Sequence, residues 1–189
     1  MFSGKSLDED NAHISQQTTI PAISVKWHPL MNNILYSANA NGSIMMYNRD
    51  TKKQIMLIKE NNDTTCIDIN SRGSYLASVG KDHRIRLYDL TSPEITLATS
   101  YSSVIQDIEQ NYSSDAAVSV QLESQAHSNR VFSIKFHKDE NDIFFTAGWD
   151  RTVKIWDRRS KSGIVNTIYG PSVCGDGIDL KVGLFLNSN

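Results

Sequence analysis

The sequence predicts an all-β fold of four-stranded antiparallel sheets set side by side, and three observations carry that prediction. The first is an internal repeat. Asn41-Gly42-Ser43-Ile44-Met45-Met46-Tyr47-Asn48, Asp82-His83-Arg84-Ile85-Arg86-Leu87-Tyr88-Asp89 and Asp150-Arg151-Thr152-Val153-Lys154-Ile155-Trp156-Asp157 superimpose on one another. Each begins with Asp or Asn, carries an aliphatic residue or Met three and five positions on, an aromatic at six, and Asp or Asn at seven. A hydroxyl (Ser37, Ser78 or Thr146) stands four residues before each. The second observation is period-two alternation, as in Ile23, Val25 and Trp27 against Ser24 and Lys26. The third is that no segment longer than about ten residues shows a helical period.

The repeat fixes the organisation. Asn41 and Asp82 lie 41 residues apart, and Asp82 and Asp150 lie 68 apart, one period plus an insertion. A fixed period of this size marks stacked supersecondary units, each able to bury its apolar face only against a neighbour. With Trp156-Asp157 ending the third repeat and Ala126-His127 standing where Gly-His is usual, the chain resembles the WD40-repeat family over roughly residues 20–170. That resemblance implies a β-propeller whose blades are four-stranded sheets, and a surface for binding rather than catalysis. The first two repeats depart from the pattern, with Tyr47 and Tyr88 in place of Trp and no upstream His.

Element by element, residues 1–19 are polar and read as a flexible arm. Blade one covers about 20–60, with Ile34–Ala38, Ser43–Tyr47 and Gln54–Ile58 following its first strand. Blade two covers about 62–125: Cys66–Ile69, then Tyr75–Val79 after the turn Ser71-Arg72-Gly73, then Arg84–Tyr88. Its fourth strand has two candidates. Val118–Glu123 is preferred over Ile95–Thr99, because the other repeats pass quickly from outer strand to next blade. This leaves 91–115 as an inserted, Ser- and acid-rich solvated loop. Blade three covers about 127–170, ending in Ile143–Ala147, Thr152–Trp156 and Ile164–Ile168. Val173–Leu180 and Gly183–Asn187 read as the start of a fourth blade at about 172–189. Three blades and a fraction do not close a ring, since propellers use about four to eight. The expectation is an incomplete propeller that needs self-association or further blades.

Composition narrows the function. With 189 residues, 39% hydrophobic and 21% charged, the chain is expected to be globular. A net charge of −2 argues against a module that neutralises nucleic-acid phosphates. Two cysteines are too few for a disulfide framework, and Cys66 reads as a core residue. No apolar leader or run of about 18 apolar residues occurs, so no membrane role and a cytoplasmic or nuclear location are expected. The five histidines are scattered, and His28 and His137 occupy equivalent strand ends, so no metal site is expected. No phosphate-binding loop is present either; Gly4-Lys5-Ser6 lacks its context. No cofactor is expected.

One constellation could be mistaken for chemistry. The resemblance implies that His127, Thr146, Asp150 and Trp156 form a buried hydrogen-bond network. A buried indole N–H needs an acceptor, a threonine hydroxyl can accept it and donate to an imidazole, and a carboxylate can orient that ring. A hydrolase triad with Thr146 as nucleophile is the competing reading. It is disfavoured because the hydroxyl lies mid-strand and no Gly-x-Ser-x-Gly elbow or oxyanion donor is evident. Blades one and two, keeping only Ser37/Asn41 and Ser78/Asp82, are expected to be weaker than blade three.

Antiparallel connectivity sorts the loops onto two rims. Lys81, Trp149, Glu60–Asp63 and Ser124–Arg130 share one, and Arg158, Arg159, Lys161 and the inserted loop share the other. Trp149, Lys81, Arg130, Arg158 and Arg159 are the candidate protein-binding residues, Trp149 foremost because Trp, Tyr and Arg dominate interface energetics. Asp150 and Lys154 through Arg159 also resemble the WDxR box of substrate receptors for cullin-type ubiquitin ligases, in which Arg159 would contact the ligase adaptor. The sequence therefore predicts a non-catalytic scaffold for other proteins or peptides, with a ubiquitin-ligase receptor as the first alternative and a hydrolase as the second.

Overall fold

The computed structural model describes residues 20–91, 96–102, 120–122, 127–160 and 163–181. No helix occurs among them. The first sheet runs β1 (Ala22–Trp27), β2 (Ile34–Asn39), β3 (Ser43–Asn48) and β4 (Lys53–Lys59), each pairing with the next. The second runs β5 (Thr64–Ile69), β6 (Tyr75–Gly80), β7 (Ile85–Asp89), β8 (Thr96–Ser102) and β9 (Val120–Leu122). The third runs β10 (Val131–Phe136), β11 (Ile143–Gly148), β12 (Thr152–Asp157) and β13 (Ile164–Tyr169). All pairings are antiparallel except β8–β9.

The repeated Asp or Asn explains why the sheets share one plan. Its carboxylate or amide oxygen accepts the backbone N–H two residues on: Ser43 N from Asn41 at 3.0 Å, Arg84 N from Asp82 at 3.2 Å, Thr152 N from Asp150 at 3.1 Å. The residue between adopts a left-handed backbone each time, with φ of 80° at Gly42, 66° at His83 and 58° at Arg151. This Asx geometry turns the chain tightly between second and third strands. The Asp or Asn at the repeat's end caps the next turn in the same way, as Asn48, Asp89 and Asp157 do. His28 and His137 cap the first turn, each Nδ1 accepting two backbone N–H groups.

The second sheet lies between the other two. One face of it (Ile67, Leu76, Tyr88) packs on Ile34, Tyr36, Ala38 and Ile44 of the first sheet. The opposite face (Ala77, Val79, Ile85, Leu87) receives Ile134, Phe144 and Trp156 of the third. Cys66 is buried in this second cluster, and burial pushes its thiol pKa up.

Two sequence expectations are corrected. The fourth strand of the second sheet is Thr96–Ser102, not Val118–Glu123; Leu87 pairs with Thr99 and Ile85 with Tyr101. A short hairpin costs less closure entropy than a loop across 91–115. Val120–Leu122 instead adds a fifth, parallel strand, which needs a crossover of a dozen or more residues, and the insertion supplies it. Second, Val173–Leu180 forms no strand. Gly175 and Gly177 interrupt it, and Gly175 takes a φ of 74°. The segment is instead held to β10 by Asp176, which accepts from Lys135 at 3.1 Å and Ser133 at 3.3 Å. The arm at 1–19, most of the insertion and Gly183–Asn187 lie outside the described residues.

Candidate functional site

The third sheet brings His127, Thr146, Asp150 and Trp156 into one line. Trp156 enters from the penultimate position of β12, opposite Phe144, and its indole stacks on that ring at 5.9 Å and 3°. Its Nε1–H donates to Thr146 Oγ1 at 2.7 Å. Thr146 Oγ1 lies 2.6 Å from His127 Nε2, and His127 Nδ1 lies 2.8 Å from Asp150 Oδ2. A carboxylate only accepts, so Nδ1 carries the proton it donates, and Nε2 takes the Thr146 hydroxyl proton. Thr146, His127 and Trp156 are fully buried. Burial alone would raise the Asp150 pKa, but hydrogen bonds from His127, Thr152 and the Ser128 backbone outweigh it and hold it down at about 2.

The second sheet holds a network that the sequence reading missed. Glu60, the residue after β4, sits where His127 sits in the third sheet. Its side chain is buried and accepts from Thr64 at 2.8 Å, from Tyr88 Oη at 2.8 Å, and from Ser78 Oγ. Arg86 stands 3.9 Å from Glu60 and makes a two-point contact with Asp82. Burial works against the Arg86 charge, but Asp82 and Glu60 overcome it and raise its pKa. The signal was available: a carboxylate 18 residues before Ser78, where His127 precedes Thr146 by 19. A search for histidine passes over it. In the first sheet Tyr47 occupies the same register as Tyr88 and Trp156 but is 36% exposed.

On one rim, Lys81 Nζ pairs with Asp63 at 3.3 Å. Trp149 is exposed, lies 5.1 Å from the Phe132 ring, and has the Arg130 guanidinium 5.9 Å from its ring. An aromatic fixed this way presents a rigid apolar plate with a cation over its ring. On the other rim, Arg158 reaches back between sheets, stacking on Tyr75 at 4.3 Å and pairing with Asp142 at 2.6 Å. Arg159 is the more exposed of the two, and both ends of its guanidinium are bound by Asp157 at 2.9 and 2.8 Å. Its hydrogen bonds to Asp157 raise its own pKa and lower that of the carboxyl. Lys161 lies outside the described residues.

The comparisons with known proteins agree with this architecture. The family profile for "WD domain, G-beta repeat" matches residues 52–89 and 119–157. Coronin-2A of Homo sapiens is 32% identical over 83 residues, spanning 41% of this chain and 16% of that protein. A guanine nucleotide-binding protein subunit beta-like protein of Encephalitozoon cuniculi is 24% identical over 125 residues, 66% of this chain and 31% of its own length. Among solved structures, that of U3-55K superimposes with a TM-score of 0.60 at 16% identity, covering 80% of this chain and 40% of that one. The chain thus spans about a third or less of these two curated relatives. Two matched repeats, a third of the same register and three sheets of one plan lead to a single conclusion: this chain carries WD40-type repeats in a propeller-like fold.

Proposed function

We propose that the chain is a non-catalytic scaffold that binds other proteins or peptides through the rim carrying Trp149, Lys81 and Arg130. The observation that carries this reading is the division of labour between interior and rim. Thr146, the hydroxyl a hydrolase would use, is fully buried and engaged on both sides by Trp156 and His127. It therefore works as a strut rather than a nucleophile. Trp149, by contrast, is held by Phe132 and Arg130 yet open to solvent. The compartment that goes with this reading is the cytoplasm or nucleus. The ligase-receptor alternative draws no support from the relatives named, and an adaptor reaching Arg159 would first have to displace Asp157.

Affinity capture followed by quantitative mass spectrometry tests the proposal. Trp149→Ala is expected to lose a defined set of captured proteins at least ten-fold, while Arg159→Ala keeps them. Equal capture by wild type and Trp149→Ala overturns the assignment of the rim. Covalent labelling of Thr146 by an electrophilic hydrolase probe overturns the non-catalytic reading.

A further inference from the structure

The outer edges of the three sheets are finished in three different ways. A strand without a partner on one side offers a row of backbone N–H and C=O groups, and proteins blunt such an edge with a bulge, a lysine or a covering strand. In the second sheet β9 covers the edge: Ser100, Tyr101 and Ser102 of β8 pair with Val120, Gln121 and Leu122. In the first sheet the ladder places Met56, Ile58 and Lys59 of β4 at the equivalent positions. There Leu57 is an extra, unpaired residue inside the stretch, and Lys59 ends it with its Nζ on the Asn41 carbonyl at 2.6 Å. A bulge and a lysine thus break up that edge.

In the third sheet the same positions are Thr167, Ile168 and Tyr169. The bulge of β13 falls at Val165, before them, just as that of β8 falls at Ala98, before Ser100. The stretch is therefore regular. The whole of β13, Ile164–Tyr169, carries no charge and no proline. Ile168 is 50% exposed and Tyr169 83%. Among the described residues β13 pairs with β12 alone. The Thr167 N–H donates to the adjacent Asn166 Oδ1 at 2.8 Å, a bond that an incoming carbonyl can replace. The sheets of this chain stack through their faces, so a further sheet on either side would not lie along this edge.

We propose that β13 accepts a fifth strand from another protein, added parallel at residues 167–169 as β9 adds to β8. The occupant is an extended segment that reads apolar, polar, apolar and is uncharged at those three positions, as Val120-Gln121-Leu122 is. What selects it is the contact inside the chain: one blade edge already takes such a segment, in the same register and beside a bulge at the same place. Main-chain hydrogen bonds supply the affinity of an added strand, and its alternate side chains supply the selectivity. This edge is separate from the rim that carries Trp149.

A fluorescent peptide copying residues 118–124, Val-Ser-Val-Gln-Leu-Glu-Ser, titrated with the 189-residue chain, tests this by anisotropy. Saturable binding is expected, and it is expected to vanish when Asp replaces the peptide's counterparts of Val120 and Leu122. Thr167→Pro removes an edge donor and is expected to weaken binding about ten-fold. Tyr169→Lys puts a lysine where β4 has one, on a side chain already in solvent, and is expected to weaken it about three-fold. Ile55→Lys, on the edge of the first sheet, is expected to leave it unchanged. Circular dichroism checks the fold of each variant, and Tyr169→Lys decides if Thr167→Pro does not fold. Absence of saturable binding overturns the proposal. So does binding that the folded β13 variants retain in full, which would mean that the peptide displaces β9 instead. A wild-type dimer in light scattering that Tyr169→Lys dissolves gives the edge to a second copy and overturns the choice of occupant. Peptide binding here is read separately from capture through Trp149, so either proposal can fail alone.

Discussion

The second and third sheets solve one problem with different chemistry. Both place an aromatic one residue from the end of the third strand, a hydroxyl on the second, and a polar group from the preceding segment against that hydroxyl. In the third sheet the partner is His127, and the network passes through an imidazole to a single carboxylate. In the second it is Glu60, and a buried charge is answered by Arg86, Ser78, Thr64 and Tyr88. The Tyr88 hydroxyl donates directly to the carboxylate, so no imidazole relay is needed. The comparison teaches that a repeat can lose its signature residues and keep its network. The sequence expectation of a weaker second blade rested on the absent histidine, and it overlooked the acid that replaces it.

Three measurements break or sharpen this contrast. The largest effect is expected for Trp156→Ala, which removes a fully buried indole and leaves Thr146 without its donor. A loss of about 4 kcal/mol in chemical denaturation is expected. An unchanged unfolding midpoint would place Trp156 outside the core. Glu60→Ala should cost about 3 kcal/mol, because Arg86 then keeps only Asp82 and three hydroxyls lose a charged acceptor. If the loss is under about 0.5 kcal/mol, Glu60 is no counterpart of His127. The smallest effect concerns pH. The Asp150 pKa lies at about 2 in the folded chain and near 3.9 in an unfolded one. Its contribution, about 2 kcal/mol, is therefore complete above roughly pH 4 and is lost as the pH falls through about 2. Asp150→Asn should flatten the acid limb of stability between those values. Urea midpoints that track wild type throughout would detach Asp150 from the network.

Much of the fold was legible because its signals are local. Asx residues, alternation and hydroxyl spacing all act within a strand or turn, so the strands on either side of Asn41, Asp82 and Asp150 could be read directly. The grouping of His127, Thr146, Asp150 and Trp156 was also readable, since each residue has a fixed offset within its repeat. What could not be read depends on competition between distant segments. Ile95–Thr99 and Val118–Glu123 are both plausible strands, and only the shared edge of β7 decides which one pairs with it. Glu60 was overlooked for another reason, although its offset from Ser78 could be read. A lone acid in a linker looks solvated until the fold brings Ser78 and Tyr88 against it.

The glycines of the second turns have a consequence for recognition. A Cβ at Gly42 would fall 2.5 Å from the Glu60 carbonyl oxygen, and one at Gly148 would fall 2.3 Å from that of Arg130. Turn and linker are therefore in direct backbone contact, and they are stitched by Glu60 N to Gly42 O and by Trp149 N to Arg130 O. A visitor landing on Trp149 meets loops that are already immobilised, so little conformational freedom remains to be surrendered on contact. Selectivity there becomes a matter of shape and charge, with hardly any role for a loop moulding itself to its guest.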